Sequence, residues 1–357
     1  MGRHHVAGLL NTVVMVAIAA VAYTDWVILA NVSLGYLYIL PIALCALVNP
    51  LPITIALGVI CTFLQDIFGP PTDTMDWRIF HDGIYLGSFL AAGFLVTQIA
   101  RQRDRMAEEV LRQRDAYARD LELAALVQRR VLPKPLKLPG IELAAEMKTA
   151  RQLGGDYYDF FPVSEDVVDV VIADVSGKGA AAALLMPSLA VALRLRAREL
   201  ESPALVIQDL DGVLKQVTNS ATFVTMFYAR LNRRSRILQY ASAGHNPPIL
   251  TRSKTKETFV LDQAGPILGI LPDAHYSDTE IALEPDDVLT LFTDGVTEQE
   301  NEHGEEFAVE RLEEAIRGGD TQSADAIVTQ VVEAVSRFGG ETEQADDLTI
   351  VVLKVLA

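Results

Sequence analysis

The strongest constraint on this chain is the near absence of charge from four apolar runs, Val6–Tyr23, Leu34–Val48, Leu51–Phe68 and Ile84–Ala100. None shows the polar face that a surface helix of a soluble domain carries. About 18 to 20 apolar residues suffice to cross a hydrocarbon core. Residues 1–100 are therefore expected to form a transmembrane region of about four helices. Two runs are short, which leaves a re-entrant or interfacial placement open, and buried helices of a soluble domain are the alternative. A cleaved signal peptide fits poorly, because further apolar runs follow the first. Arg3 precedes the first run, and Arg101, Arg103 and Arg105 follow the last, whereas the segments 24–33 and 69–78 carry mainly Asp. Basic residues stay on the cytoplasmic side, so both ends are expected there, with an even number of crossings.

The next segment, RQRDRMAEEVLRQRDAYARDLELAALVQRRVL at 101–132, has no Gly or Pro and is rich in helix formers. Ala107, Val110, Arg114, Tyr117, Leu121, Ala124, Gln128 and Val131 follow heptad spacing, with polar breaks at Arg114 and Gln128. This reads as a helical stalk or coiled-coil linker, with a homodimer through the stalk as one possibility. A single helix packed on the following domain is the other. Pro133, Pro135 and Pro139 end the helix.

Residues 140–357 read as one α+β domain. Strand-like runs at 141–147, 167–175, 223–231, 237–242, 288–292 and 348–355 mostly follow one another without helices between them. Helical runs lie near 180–200, 203–220, 310–317 and 323–338. Such an order predicts largely antiparallel sheets with helices outside. A net charge of −17 argues against a nucleic-acid partner. The two cysteines, Cys45 and Cys61, both fall in apolar runs, so neither a disulfide framework nor a Cys zinc site is expected beyond them.

Four segments place an acid beside Gly or at a strand end: GGDYYD (154–159), IADVSGKG (172–179), LFTDGVTE (291–298) and ADDLTIVVL (345–353). Any one could be a turn. Together they make a set of hard oxygen ligands suited to Mg²⁺ or Mn²⁺. Two such ions can activate water and clamp a phosphoryl group for in-line displacement. Gly177-Lys178 lacks the earlier glycine and the following Ser/Thr of a phosphate loop. GGDYY resembles the GGDEF signature of nucleotide cyclases, but Tyr157 replaces its Glu, and the later acid motifs would have no role.

In order and spacing these motifs, with LVQRRVLP, TFVTMFYARL and YASAGHNPPIL, resemble the PPM (PP2C-like) serine/threonine phosphatases of the SpoIIE/RsbU branch, over roughly 124–357. The resemblance implies an α/β/β/α sandwich of two antiparallel sheets flanked by helices. It implies two Mn²⁺ or Mg²⁺ ions on Asp156, Asp174, the Val175 carbonyl, Asp294 and Asp346, with Asp347 a further ligand or a support. Asp174 and Asp156 are the expected catalytic pair. Lys178, Gly177 and Gly295 are expected near the substrate, and Gly155 gives clearance. Asp159 and His245 are expected behind the ligands, Asp159 either ordering water or capping the 157–161 strand and His245 either ordering its turn or serving as a general acid, and Arg151 is a candidate for the phosphate. The implied function is hydrolysis of phosphoserine or phosphothreonine on a regulatory protein, a STAS-type anti-sigma-factor antagonist in a partner-switching circuit, by an enzyme of the bacterial cytoplasmic membrane. A catalytically weak binding module of the same fold is the alternative.

Overall fold

A computed structural model describes residues 3–27, 34–68, 75–177, 180–218, 222–263, 265–317 and 322–357. The chain divides into two compact units, Met1–Ala116 and Tyr117–Ala357.

In the first unit the apolar runs become helices: α1 (Arg3–Val27), α2 (Ile39–Val48), α3 (Leu51–Phe68) and the start of α4 (Met75–Val131). α1, α3 and α4 are long and apolar enough to cross a membrane, whereas the apolar helix at 35–48 is short. The expected four spans are therefore three long helices and one short one. Val14, Tyr38, Ile42, Cys45, Cys61 and Phe89 pack together inside. Leu9, Met15, Phe63 and Leu95 point outward. An apolar exterior around an apolar interior suits lipid rather than water. Cys45 and Cys61 are buried free thiols.

The last apolar run and the stalk are one uninterrupted helix, the 57-residue α4, roughly 85 Å long at 1.5 Å per residue. Its heptad has two fates. Residues 101–117 are exposed all round. Leu121 and Ala124 are half-covered and Gln128 is buried, and Val131 packs on the core of the second unit. The C-terminal half of the heptad thus lies on its own domain. The sequence could not separate that arrangement from pairing with a second copy, because both need the same apolar spacing.

The second unit contains ten strands among its described residues, in two antiparallel sheets of order β1-β10-β9-β6-β7 and β2-β3-β4-β5-β8, where the three short ones are β6 (Ile249–Thr251), β7 (Thr258–Val260) and β8 (Thr279–Ala282). The strands that build the site are β1 (Ile141–Lys148), β2 (Asp156–Pro162), β3 (Val167–Val175), β4 (Val224–Asn232), β5 (Ile237–Ala243), β9 (Val288–Phe292) and β10 (Leu348–Val355). Side chains alternate between faces along each strand. Phe160, Ile172 and Phe227 from one sheet meet Leu289, Leu291, Val351 and Leu353 from the other. The opposite face of the first sheet, with Tyr157, Ala173 and Met226, packs on α5 (Ala180–Glu199) and α6 (Pro203–Val217). Ile350 and Val352 pack on α8 (Ala308–Ile316) and α9 (Ala324–Gly339). The result is the four-layer sandwich that the family resemblance implies, with the antiparallel sheets and outer helices that the order of elements predicts.

α5 is pinned at its C-terminal end. Arg230 donates to the carbonyls of Ala197 (2.7 Å), Leu200 (2.8 Å) and Glu201 (2.8 Å), and forks onto the fully buried Asp169, which also accepts from Tyr228. Removing one partner of such a pair strands the other charge in the core. Arg230→Met is therefore expected to cost about 3–5 kcal/mol, read as a lower urea midpoint for Tyr117–Ala357. The milder Arg194→Met should cost less, since the Arg194 side chain is 45% exposed.

Candidate metal centre

The acids gather where β2, β3, β9 and β10 open at one end of the sandwich. Asp156 on β2 stands directly opposite Asp174 on β3. Opposed residues of an antiparallel pair share a face, with Cβ atoms about 5 Å apart, and here that face is the one between the sheets. Asp156 is 1% exposed. Its Oδ2 accepts from Thr349 Oγ1 (2.5 Å) and Thr293 Oγ1 (2.8 Å), which reach over from β10 and the end of β9. Burial first, then the facing Asp174 and more weakly Asp347, push its carboxyl well above the usual range, against the pull of the two hydroxyls. An ionised Asp156 is therefore costly in this setting.

Asp347 orders the neighbouring loop. Its Oδ1 accepts from Ala150 N (2.8 Å) and its Oδ2 from Gly155 N (2.6 Å). Gln128, at the end of α4, grips the same loop from the other side. Its Nε2 donates to Gly154 O (2.6 Å), and its Oε1 accepts from Gly154 N (3.3 Å). Asp174, Asp346 and Asp347 line one small polar cleft with Gly155, Gly177 and Arg151. Asp294 begins the short helix α7 (Asp294–Thr297), directly after Thr293.

Two glycines answer to close approach. A Cβ on Gly155 would lie 2.7 Å from the Val175 carbonyl oxygen and 3.2 Å from Asp174 Oδ1, so only glycine leaves that cradle open. Gly295 is buried, and a Cβ there would collide with the Asp347 backbone. Its room is filled by the start of β10 and not by open cleft. Gly177 has φ +96° and is exposed, while Lys178 lies outside the described residues.

Asp159 is the site residue that the fold sends elsewhere. It is three positions from Asp156, and an odd step along a strand reverses the face. Its carboxylate is buried against α5, accepting from Tyr157 Oη (2.6 Å), Arg194 Nε (2.6 Å) and an Arg194 terminal nitrogen (2.9 Å). It anchors α5 to β2 instead of ordering water behind the ligands. His245 is buried, with Nδ1 2.9 Å from Thr225 Oγ1. Sequence reasoning missed Thr293, Thr349 and the role of Gln128. The threonines look like ordinary strand residues, but Gln128 left a trace, being a polar break in an apolar heptad.

The residues suit a hard divalent cation. The donors are carboxylates and a carbonyl, and Gly155 keeps the space in front of two of them clear. Among the described residues no three acids, histidines or cysteines close tightly around one point.

The family model described as "Stage II sporulation protein E (SpoIIE)" matches residues 164–356. The chain is 33% identical over 238 residues to the phosphoserine phosphatase RsbU of Bacillus subtilis (strain 168), covering 66% of this chain and 70% of that protein. It is 26% identical over 182 residues to the phosphoserine phosphatase RsbP of the same organism, covering 50% of this chain but 45% of that one. Among solved structures, the SiaA PP2C domain of Pseudomonas aeruginosa superposes with a TM-score of 0.58 at 23% identity, over 68% of this chain and 98% of that one. The PP2C domain of SpoIIE from Bacillus subtilis superposes at 0.53 and 18%, over 62% and 64%.

A raised carboxyl contributes stability fully below its unfolded value, and loses that contribution as pH climbs through the raised one. Cation-free Tyr117–Ala357 should therefore give up stability at Asp156 as pH climbs above about 4 and through the raised value. Asp156→Asn should melt above the wild type at about pH 7.5, and the gap should narrow by about pH 5. Mn²⁺ at a hundred times its Kd should add about 2.7 kcal/mol to the wild type and much less to the variant. Melting curves with and without EDTA check both statements.

Proposed function

The chain belongs to the SpoIIE family of PP2C-like phosphatases, and from that premise we propose that it is a membrane-anchored, metal-dependent phosphatase acting on phosphoserine or phosphothreonine of a regulatory protein. The observation that carries the reading is the opposition of Asp156 and Asp174 across β2 and β3, beside a cleft lined by Asp346 and Asp347. Its substrate, as the resemblance to the SpoIIE/RsbU branch implies, is a STAS-type antagonist of an anti-sigma factor. Three helices of spanning length support an anchor in the bacterial cytoplasmic membrane, with the second unit on the cytoplasmic side.

In this reading Asp156, Asp174, the Val175 carbonyl, Asp294 and Asp346 hold two Mn²⁺ or Mg²⁺ ions. Bound there, the ions would supply Lewis acidity for water activation and would neutralise charge on the phosphoryl group. The protein's own work is positional. Thr293 and Thr349 fix the Asp156 carboxylate. Asp347 holds Ala150 and Gly155, and so sets the floor of the cleft. Arg151, at its edge, offers a guanidinium to the incoming phosphate, which it suits by charge and planar geometry. Gly155 and Gly177 let backbone and substrate come close.

Gln128 supports a regulatory role for the stalk. It closes the helix that begins in the apolar unit, and it holds the backbone of Gly154, two residues before Asp156. A change of register at the end of α4 would act on the ligand loop through that pair of bonds.

Phosphate release from a generic phosphoester by Tyr117–Ala357, with EDTA, Mg²⁺ or Mn²⁺, tests the enzyme. Turnover should need the cation and should fall at least about 100-fold in Asp174→Asn and Asp294→Asn. Arg151→Ala should mainly raise KM. Cation-independent turnover, or none with any cation, would overturn the phosphatase reading. Gln128→Leu tests the stalk in the full chain. Unaltered turnover and unaltered Mn²⁺ dependence would make α4 a tether only.

A further inference from the structure

One buried imidazole lies behind the acids without a role in the reading above. His245 is 6% exposed and follows Gly244, whose φ of +66° and tight packing on Ile267 set the turn. A bridge from Gly244 to Met226 fastens that turn to β4. Two prolines, Pro247 and Pro248, follow. The backbone therefore has little freedom to carry the ring elsewhere.

The ring touches both sheets. Nδ1 is 2.9 Å from the Thr225 hydroxyl on β4. Thr225 stands directly opposite Asp174 on β3, as Asp174 stands opposite Asp156 on β2. A row therefore crosses three strands on the inner face: carboxylate, carboxylate, hydroxyl, with the imidazole at its end. On its other side the ring interacts with the backbone of Phe292, the last residue of β9, two positions before Asp294. Nε2 is buried without a well-formed hydrogen bond. If ordering its own turn were the only role of this side chain, a smaller group would serve, and the reach of the ring from β4 to the end of β9 would have no use.

We propose that His245 is a positioning residue of the metal centre. Through Thr225 on one sheet and the end of β9 on the other, it sets how the Asp174 carboxylate is aimed and how far it stands from Asp294. The inference rests on the reading of these acids as cation ligands. Burial drives the imidazole down to about 4, so it is neutral in the working range. Its hydrogen-bonding neighbours, the Thr225 hydroxyl and the Phe292 backbone, carry no charge. Its contribution is geometry and not charge.

The test uses the full chain in detergent micelles, with Mn²⁺ as the probe. Two quantities are read for each variant: the Mn²⁺ concentration that half-saturates the rise in melting temperature, and turnover of p-nitrophenyl phosphate across Mn²⁺ concentrations. Thr225→Val keeps the shape and removes the hydroxyl. It should weaken Mn²⁺ binding about tenfold or more, the scale of support residues around metal ligands. Thr225→Ser should stay near wild type. His245→Asn, which can offer a nitrogen or oxygen close to the Nδ1 position, should retain more Mn²⁺ affinity than His245→Ala. Combining His245→Ala with Thr225→Val should add little to either change alone, as expected for residues acting through one contact. Excess Mn²⁺ should restore part of the lost turnover.

Wild-type Mn²⁺ affinity in Thr225→Val, or fully additive losses in the double variant, would overturn the proposal while leaving the metal centre intact. Should His245→Ala fail to fold, the comparison of Thr225→Val with Thr225→Ser still decides. A wild-type chain that gains no stability from Mn²⁺ would remove the metal reading itself, and this inference with it.

Discussion

Two acids facing each other, one of them fully buried and the other at the mouth of a cleft, are the constraint on which the rest of the second unit depends. Asp156 and Asp174 occupy opposed positions of one antiparallel pair, where uncompensated carboxylates repel and resist ionisation. The surroundings reduce that cost without removing it. Two threonine hydroxyls reach Asp156 from the opposite sheet, which requires the two sheets to meet at a fixed spacing. The inter-sheet core from Phe160 to Leu353 provides that spacing. The site is thus a consequence of sandwich packing, and a core change that altered the sheet separation would reach the acids before it reached the fold.

The loop between β1 and β2 shows how support is layered. Asp347 takes the amides of Ala150 and Gly155, while Gln128 takes both backbone groups of Gly154. Polar backbone groups in a buried loop must find partners, and these find side chains from β10's approach and from α4. The position of Gly155, and with it the open cradle before Val175 and Asp174, is therefore held by residues far apart in sequence. Asp159 does parallel work on the outer face, where its fork with Arg194 fixes α5, the helix that follows the Gly177 turn.

Much of this could be read from the chain. The acid motifs announced themselves because each set an acid beside a glycine or at a strand end, and the sheets followed from strands succeeding one another without helices. Face was harder to read than proximity. Asp159 sits within GGDYYD yet points away from Asp156, a matter of strand parity that becomes decisive only when 156–162 is known to be a strand. Thr293 and Thr349 carried no signal, since threonine is common in strands and their partner lies on another sheet. The heptad in 101–132 was visible, but its partner was not. Leu121, Ala124 and Val131 would serve a second helix or their own domain equally well, and only Gln128, bonded to Gly154, distinguishes the two. In the first unit, composition exposed four apolar runs, two of them short, while the continuity of the last with the stalk is a matter of helix length that hydropathy alone does not fix.

The same energetics weigh against a purely binding role for this domain. Without a cation, Asp156 is a cost to the fold, held in place by hydroxyls that only partly compensate it. Replacing it by a neutral side chain would relieve the repulsion and keep the packing. A domain that used its sandwich only to dock a partner would gain stability from losing that acid. Proteins retain locally unfavourable arrangements where function is drawn from them. Here the unfavourable element is not a single acid but a coordinated set: an opposed pair, a cradle that only glycine keeps open, and an aspartate whose two oxygens are spent on ordering the loop between them. Each part is intelligible as support for positive charge arriving from outside the chain, and together they make sense only when that charge is bound.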